Sequence, residues 1–256
     1  MSAARTRAVL TDALGTLVAL APPAPRLAEA LRREHGIEVT PAQAERAFAR
    51  EIAYYREHHL EACDECSLAD LRRRCAGLLA SELPDGVRSL DEAQIVELLL
   101  ESLHFSAYAD AAPALAALRE QGLRAIVVSN WDCSLPAVLD RLGLRVLLDG
   151  VVTSAELGAC KPDARIFGAA LDLARAEPSA AVHVGDSVAE DVRGALEAGI
   201  RAVFLRRAQA PGLASATPDG SVRAAFGEPS PTQPPSGVPV IETLEDLPSA
   251  IHVLGG

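Results

Sequence analysis

The chain has 256 residues, 49% of them hydrophobic, which is enough to bury the core of one large domain or of a domain with a small module. Its formal net charge of −11 argues against nucleic acid or an anionic membrane surface as the main partner. No apolar stretch approaches the roughly 18–20 residues that a membrane span requires. Segment 1–21 has some features of a secretion signal, but Asp12 interrupts its apolar residues, so we expect a cytoplasmic protein.

The cysteines do not form the pattern of a secreted disulfide framework. There are five of them, an odd number. Cys63 and Cys66 make a lone CxxC, with His58, His59 and Cys75 nearby. A structural zinc site usually needs a second spaced pair of ligands, which the chain lacks. We therefore interpret these cysteines as reduced thiols on helices.

The first predicted element is a short apolar strand over residues 7–11, and an acid closes it. Asp12 follows the strand directly, and Gly15 makes a turn three residues later. A strand that ends in this way presents a carboxylate at the carboxyl edge of a parallel sheet, which is where open α/β folds bind ligands.

From residue 19 to about 107 the chain has the periodicity of helices. Apolar residues recur at helical spacing throughout this region, for example Leu27, Leu31, Ala47, Ile52, Leu68, Leu71, Leu78, Leu79, Ile95, Leu98 and Leu99. Thr40, Ser67 and Asp91 are expected to be N-caps, and Pro84-Asp85-Gly86 a turn. The pattern predicts a bundle of about four helices, a small domain over 19–107.

Strands and helices then alternate, which predicts a doubly wound parallel sheet. The expected strands are 125–128, 150–153, 181–184, 202–205 and 238–241, and the expected helices are 112–121, 135–142, 163–174, 189–198 and 244–251. Residues 208–237 are rich in Pro, Gly and Ser, and we expect a mobile surface loop there. The α/β domain therefore comprises 1–18 and 108–256.

Polar side chains follow several of these strands or lie in the loops just after them. They are Asp12, Ser129, Lys161, Asp186, Glu190 and Asp191. Because the carboxyl ends of parallel strands meet at one edge of the sheet, these groups are expected to converge. Carboxylates suit a hard cation such as Mg²⁺, while a hydroxyl and an ammonium suit the oxygens of a phosphate.

Lys161 stands out because it is the only lysine among the 24 basic residues. Replacement of lysine by arginine elsewhere in the chain is a compositional trend. A lysine that must act as a compact point charge at one place cannot follow that trend.

The run Asp12-Ala13-Leu14-Gly15-Thr16-Leu17 resembles the first motif of the haloacid dehalogenase superfamily, which reads Asp-x-Asp-Gly-Thr-Leu in its phosphatases. Ser129, Lys161 and the segment Gly185-Asp186-Ser187-x-x-Glu190-Asp191 match the remaining motifs in order. This resemblance implies a Rossmann-like core whose helical cap is inserted after the first motif.

The resemblance also implies roles for the matching residues. Asp12 would be the nucleophile, and Lys161 would bridge it to the phosphate. Ser129, with Thr16 and Asn130, would bind substrate. Mg²⁺ would be held by Asp12, Asp186 and the backbone carbonyl of Leu14, supported by Asp191 and, more weakly, Glu190.

Leu14 departs from the phosphatase motif. The acid missing there protonates the leaving alcohol and then activates water, and general acid–base catalysis of this kind contributes about 10²–10⁴ in rate. A phosphatase without it would need a good leaving group or an acid from the cap, where Tyr54, Tyr55, His58 and His59 qualify only by residue type.

Other members of the superfamily also lack this acid. In haloacid dehalogenases the halide leaves without a proton, which suits Leu14, but those enzymes do not keep the Gly-Asp metal motif seen at Asp186. Phosphonoacetaldehyde hydrolases need a cap lysine, and the only lysine is Lys161. The sequence thus predicts a Mg²⁺-dependent phosphatase of small phosphorylated metabolites, with a dehalogenase or a non-catalytic phospho-ligand-binding protein as alternatives.

Overall fold

The computed structural model describes residues 5–207 and 233–255, and the predicted loop at 208–237 lies for the most part outside them. The chain divides into two compact units. The α/β unit contains residues 5–19, 106–207 and 233–255, and the helical unit contains residues 20–105. Among the residues described, no helix combines the length and the apolar character that crossing a membrane would need.

A parallel sheet of six strands forms the centre of the α/β unit, as the alternation of strands and helices predicts. Its strands are β1 (Ala8–Thr11), β4 (Arg124–Ser129), β5 (Gly150–Thr153), β6 (Ala181–Gly185), β7 (Arg201–Leu205) and β8 (Val240–Ile241). Their order across the sheet is β5-β4-β1-β6-β7-β8. The chain therefore builds outward from β1 in both directions, and the strand order reverses there.

Helices cover the strands of this sheet, which explains why the strands are apolar along nearly their whole length. They are α6 (Ala111–Glu120), α7 (Leu135–Arg141), α8 (Ser154–Leu157), α9 (Ala164–Ala174), α10 (Gly194–Glu197) and α11 (Leu247–Gly255). One buried cluster joins Leu10 and Ile126 of the sheet to Ile166 and Phe167 of α9.

The helical unit consists of α1 (Pro23–His35), α2 (Pro41–His58), α3 (Glu65–Ser81), the short α4 (Asp85–Arg88) and α5 (Glu92–Ser102). Thr40 and Asp91 are N-caps with capping boxes, as their positions in the sequence indicate. Short strands that the sequence does not reveal, β2 (Val18–Leu20) and β3 (Phe105–Ala107), pair at the two ends of this segment.

Four local predictions were wrong. The turn expected at Pro84-Asp85-Gly86 is the start of the one-turn helix α4, with Pro84 at its N-cap position. Ser67 is not an N-cap: Asp64 caps α3, and Ser67 is the third helical residue of the same capping box. The helix expected at 189–198 is a π-helical turn over Val188–Arg193 followed by α10. The last helix starts later than expected, because a 3₁₀ turn over Leu244–Asp246 precedes α11.

Candidate active site

Three predicted site residues meet where the strand order reverses. Asp12 follows β1, Ser129 ends β4, and Asp186 follows β6. β4 and β6 are the two neighbours of β1 in the sheet, so their ends lie on either side of Asp12. A crevice at such a reversal is the usual ligand site of open α/β sheets.

Lys161 joins these segments through two short contacts. Its Nζ lies 2.6 Å from Asp12 Oδ1 and 2.7 Å from Asp191 Oδ1, and only 1% of the lysine side chain is exposed. The Ser129 hydroxyl donates to the same Asp12 oxygen at 3.2 Å. The structure thus brings together a carboxylate, an ammonium and a hydroxyl from distant parts of the sequence.

Three carboxylates gather beside this ammonium. Oxygens of Asp12, Asp186 and Asp191 all lie within 4.8 Å of one another. Two glycines make room for the cluster: a Cβ at Gly15 would lie 2.2 Å from Asp186 Oδ2, and one at Gly185 would lie 2.2 Å from Asp191 Cγ. A set of carboxylate oxygens with one ammonium among them carries excess negative charge, and this donor set fits a hard divalent cation such as Mg²⁺.

Burial and the close approach of these charged groups to one another shift the pKa values of Lys161, Asp191 and Asp186. Burial by itself disfavours the charged form of Lys161, but Asp12 and Asp191 outweigh it and hold its pKa above the ordinary value. Burial would likewise raise the pKa of Asp191, yet Lys161 and His183 hold it well below normal. Surrounding protein, together with Asp12 and Asp191, raises the pKa of Asp186 well above its usual value, although its side chain keeps an exposed face.

Asn130 holds the backbone that carries Lys161. Its Oδ1 accepts from Lys161 N at 2.7 Å, and its Nδ2 donates to Lys161 O at 3.1 Å and to Glu190 Oε2 at 3.2 Å. The Asn130 side chain thus makes three hydrogen bonds, all of them to protein groups. The proposed roles of Asn130 in binding substrate and of Glu190 in supporting a metal remain predictions.

Asp191 lies in the π-helical turn after β6, and this turn aims its side chain back at the strand. Its Oδ2 accepts from Ser187 N at 2.9 Å. Its Oδ1 accepts from Lys161 and lies 2.9 Å from His183 Nε2. A π-helical turn inside a short helix often marks a functional position.

His183 is a site neighbour that the sequence analysis missed. It is fully buried in β6, contacts Asp191, and meets the Phe167 ring edge-on at 5.2 Å between centroids. Its Nδ1 has no hydrogen-bond partner among the described residues. A histidine in an otherwise apolar strand, two residues before the Gly-Asp pair, was the available signal.

Two further residues of the first motif, Thr16 and Leu14, follow Asp12 in the turn after β1. The Thr16 hydroxyl is buried and has no hydrogen-bond partner within the described part of the chain, so a role in binding substrate stays a prediction. Leu14 is half-buried and forms an isolated bridge with Val18, and its carbonyl remains a predicted metal ligand.

The candidate acids of the helical unit have local partners. The Tyr54 hydroxyl accepts from Arg74 Nη1 at 2.7 Å, and the His58 ring stacks on Tyr54 at 3.9 Å between centroids. His59 is buried, with its Nδ1 2.9 Å from Arg56 O. Whether any of these residues, or Tyr55, protonates a leaving group stays a prediction.

The CxxC segment of the helical unit does not belong to a metal-binding cluster. Within residues 5–207 and 233–255, Asp12, Asp186 and Asp191 are the group of three or more His, Cys, Asp or Glu side chains that lie close enough to share an ion. Cys63 and Cys66 are exposed, Cys75 is buried, and none of the three forms a disulfide. Cys66 and Cys75 lie on α3 as expected, but Cys63 does not lie on a helix, because Asp64 caps α3 after it.

Comparison with known families agrees with this geometry. Residues 6–199 match the haloacid dehalogenase-like hydrolase family. The chain belongs to this family. The match runs from β1 to the end of α10 and so includes every carboxylate of the cluster, Ser129 and Lys161.

Curated relatives include haloacid dehalogenase-like hydrolase domain-containing protein 3 of Homo sapiens, 32% identical over 80% of this chain and 83% of that protein. The alignment with its Bos taurus counterpart is 44% identical but spans only 34% of this chain and 35% of that protein. Phosphoserine phosphatase of Thermus thermophilus is 35% identical over 57% of this chain and 59% of its own length.

Solved structures share the fold. A HAD phosphatase from Thermococcus onnurineus superposes with a TM-score of 0.60 at 24% identity, over 98% of this chain and 99% of that one. L-2-haloacid dehalogenase from Xanthobacter autotrophicus gives a TM-score of 0.66 at 21% identity, over 96% and 98%. Both phosphatases and dehalogenases therefore have this architecture, and the fold alone does not indicate which of the two reactions a protein catalyses.

Proposed function

We propose that this hydrolase is a Mg²⁺-dependent phosphatase of small phosphorylated metabolites, with Asp12 as the nucleophile. The observation that carries the proposal is the cluster of Asp12, Asp186 and Asp191, whose oxygens lie within 4.8 Å of one another beside Lys161. Displacement of a halide requires a carboxylate nucleophile but no cation. A second and a third acid at the nucleophile would also repel a haloacid, which is itself a carboxylate.

Each group then has a defined task in phosphoryl transfer. A carboxylate oxygen of Asp12 attacks phosphorus, the bond from phosphorus to the leaving oxygen breaks, and that oxygen departs with the electron pair. Water then attacks the aspartyl-phosphate and releases inorganic phosphate, which restores the Asp12 carboxylate. Bound Mg²⁺ would supply positive charge against the phosphoryl oxygens, with Asp12, Asp186 and Asp191 as its holders.

Lys161 and Ser129 orient the nucleophile for this reaction. Both donate to Asp12 Oδ1, at 2.6 and 3.2 Å, so the carboxylate cannot rotate without losing two hydrogen bonds. The same ammonium and hydroxyl are the donors that phosphoryl oxygens would contact on arrival. Relatives named as phosphatases, the phosphoserine phosphatase above and a glyceraldehyde 3-phosphate phosphatase of Methanopyrus kandleri, favour this chemistry.

Leu14 limits the leaving groups. Leucine cannot protonate an alkoxide, so substrates whose leaving oxygen is already a stable anion should react fastest. We therefore expect aryl and acyl phosphates to exceed simple alkyl phosphates by about 10²–10⁴-fold, the usual contribution of a general acid. The helical unit, acting as a cap, would select among physiological substrates.

The test is a release assay on the purified chain with 4-nitrophenyl phosphate, acetyl phosphate, glycerol 3-phosphate and 2-chloropropionate, each with Mg²⁺ or with EDTA. We expect phosphate release from the first two that requires Mg²⁺ and disappears in EDTA. Asp12→Asn is the matched negative control.

Two results would replace the proposal with another function. Chloride release from 2-chloropropionate that is as fast in EDTA as in Mg²⁺ would identify a dehalogenase. Saturable binding of Mg²⁺ and a phosphate ester without any release would identify a binding protein.

Leu14→Asp tests the leaving-group argument directly. The new carboxylate restores the acid of the phosphatase motif, so hydrolysis of glycerol 3-phosphate should rise by about 10²-fold or more. Hydrolysis of acetyl phosphate should rise by a smaller factor, because its leaving group needs no proton and it gains only from the activation of water. Leu14→Asn, of the same size but without the acid, is the control. An unchanged rate with glycerol 3-phosphate would mean that another residue already donates the proton.

A further inference from the structure

Arg207 lies two residues beyond the end of β7 and reaches back to the turn that follows Asp12. Its Nη2 donates to the backbone carbonyl of Thr16 at 2.6 Å, and its Nε donates to that of Gly15 at 3.2 Å. The guanidinium thus holds two consecutive carbonyls of the first motif. Only 15% of its side chain is exposed.

Two further side chains, those of Asp110 and Tyr108, contact the Arg207 guanidinium. Asp110 accepts two hydrogen bonds from it, at 3.0 and 2.9 Å, in the parallel arrangement that suits a guanidinium and a carboxylate. The guanidinium carbon lies 3.7 Å from the centroid of the Tyr108 ring. Asp110 also accepts from Thr243 Oγ1 at 2.9 Å and from Leu244 N at 2.8 Å.

The turn that Arg207 holds forms a wall of the acid cluster. Gly15 has a φ of +85°, and its missing Cβ leaves the space that the Asp186 carboxylate fills. If the carbonyls of Gly15 and Thr16 shifted, the contact with Asp186 would change, and Asp12 lies only three residues earlier on the same turn. The spacing of the carboxylates therefore depends on where this turn is held.

We infer that Arg207, oriented by Asp110, is a positioning residue that sets the geometry of the cation site through the Gly15 and Thr16 carbonyls. Its guanidinium donates to these two carbonyls and to the Asp110 carboxylate, so its effect on the site would pass through the turn. This inference rests on the proposed Mg²⁺-dependent function and adds to it a residue outside the superfamily motifs found in the sequence. Residues that orient metal ligands typically contribute 10–100-fold to metal affinity.

The variant Arg207→Lys keeps the positive charge beside Asp110 but cannot contact two carbonyls and two carboxylate oxygens at once. Arg206→Lys is the matched control, because Arg206 is the exposed neighbour and its guanidinium carbon lies over the Phe204 ring at 5.8 Å. Mg²⁺ binding is measured by titration calorimetry without substrate, turnover with 4-nitrophenyl phosphate at saturating Mg²⁺, and folding by thermal melting.

We expect Arg207→Lys to raise the Mg²⁺ dissociation constant about tenfold and to lower kcat about tenfold, with little change in KM, because the altered geometry acts on the reacting groups. Arg206→Lys should match the unsubstituted protein. A residue that merely stabilised the fold would lower the melting temperature and leave the dissociation constant and kcat of the folded protein unchanged, and that result would overturn the inference.

Asp110→Asn is the second variant, and it decides the matter if Arg207→Lys does not fold. The amide keeps the shape of Asp110 but weakens its hold on Arg207, so Mg²⁺ affinity and kcat should fall in the same direction by a smaller factor. Values equal to those of the Arg206→Lys control would overturn the inference. Absence of Mg²⁺ binding and turnover in the unsubstituted protein would instead overturn the proposed function, and the inference with it.

Discussion

The α/β unit and the helical unit differ in how their buried charged side chains are partnered. In the α/β unit, Asp12, Lys161, Asp191 and His183 are all buried and contact one another in a continuous set. In residues 20–105 of the helical unit, by contrast, the ion pairs lie on the surface, and the buried acid of that segment is Glu51, which accepts a hydrogen bond from the Cys75 thiol. Buried charge in a network supports chemistry, whereas an isolated buried acid mainly affects stability.

This comparison predicts that changes in the α/β cluster abolish activity and that changes in the helical unit alter stability. The largest expected effect is that of Asp12→Asn. The amide keeps the shape but is not a nucleophile, so kcat for 4-nitrophenyl phosphate should fall by about 10⁴–10⁶-fold. The melting temperature should change little, because Lys161 keeps Asp191 as a charged partner at 2.7 Å and the repulsion between the two carboxylates is relieved.

Asp163→Asn is the matched control for Asp12→Asn. Asp163 caps α9 at the surface, and asparagine caps helices equally well. Phosphate release from Asp12→Asn within tenfold of the unsubstituted protein would remove Asp12 as the nucleophile.

Lys161→Met should affect both activity and stability. Without the ammonium, Asp12 and Asp191 lie buried beside each other with no positive charge between them. Removing one partner of a buried ion pair typically costs about 3–5 kcal/mol, so the variant should unfold at a much lower urea concentration. Lys161→Arg should not rescue activity, because a guanidinium cannot fit where a compact ammonium contacts two carboxylates.

The double variant Lys161→Met/Asp12→Asn separates the two effects. It removes one of the facing charges, so much of the lost stability should return while activity stays absent. If stability did not return, repulsion between the carboxylates would not be the cause of the loss.

Glu51→Gln should change the pH dependence of stability without abolishing activity. Burial raises the pKa of Glu51 from 4.5 to about 7, and the Cys75 thiol offsets only part of that rise. Between these two values the unfolded chain releases the Glu51 proton while the folded chain keeps it, so stability falls as pH rises from about 4.5 to about 7. The expected loss is on the order of 3 kcal/mol.

Urea unfolding at several pH values between 4.5 and about 8 measures this slope. Glu51→Gln should flatten it, whereas Glu57→Gln, an exposed glutamate on the same helix α2, should not. Equal slopes in the two variants would show that Glu51 is ionised in the folded protein throughout this range.

The strands and the motif residues at their ends were predictable because the signal is local. An apolar run closed by Asp12 or Ser129 identifies both the strand and the group at its carboxyl end, and parallel pairing brings the ends together. The N-caps Thr40 and Asp91 were predictable for the same reason. Ser67 was misassigned because both residues of the Asp64–Ser67 box are typical capping residues.

Contacts between distant segments could not be predicted in this way. Arg207 and Asp110 are 97 residues apart, and nothing near either one indicates the other. Glu51 had a weak local signal, since it lies between Ala47 and Ile52 on the apolar face of α2. The partner of His183 depends on the π-helical turn at Asp191, whose irregular geometry the sequence pattern does not reveal.

The smallest expected effects belong to the helix caps of the helical unit, and they test whether its stability is local. Asp91 Oδ1 accepts from Gln94 N at 2.8 Å, and the Gln94 side chain accepts from Asp91 N at 3.0 Å. Asp91→Ala removes the first bond and the negative charge at the start of α5, so it should cost about 1 kcal/mol in urea unfolding. Neither kcat nor Mg²⁺ affinity should change.

Asp91→Asn separates the contribution of the hydrogen bond to that cost from the contribution of the negative charge. The amide oxygen still accepts from Gln94 N, so only the interaction of the charge with the helix dipole is lost, which is worth about 0.3–1 kcal/mol at an exposed position. Added salt should reduce the difference between the unsubstituted protein and the Asp91→Asn variant but not the difference between the Asp91→Asn and Asp91→Ala variants, because a hydrogen bond is screened much less than an exposed charge. If the Asp91→Asn variant lost as much stability as Asp91→Ala, the charge alone would account for the cap.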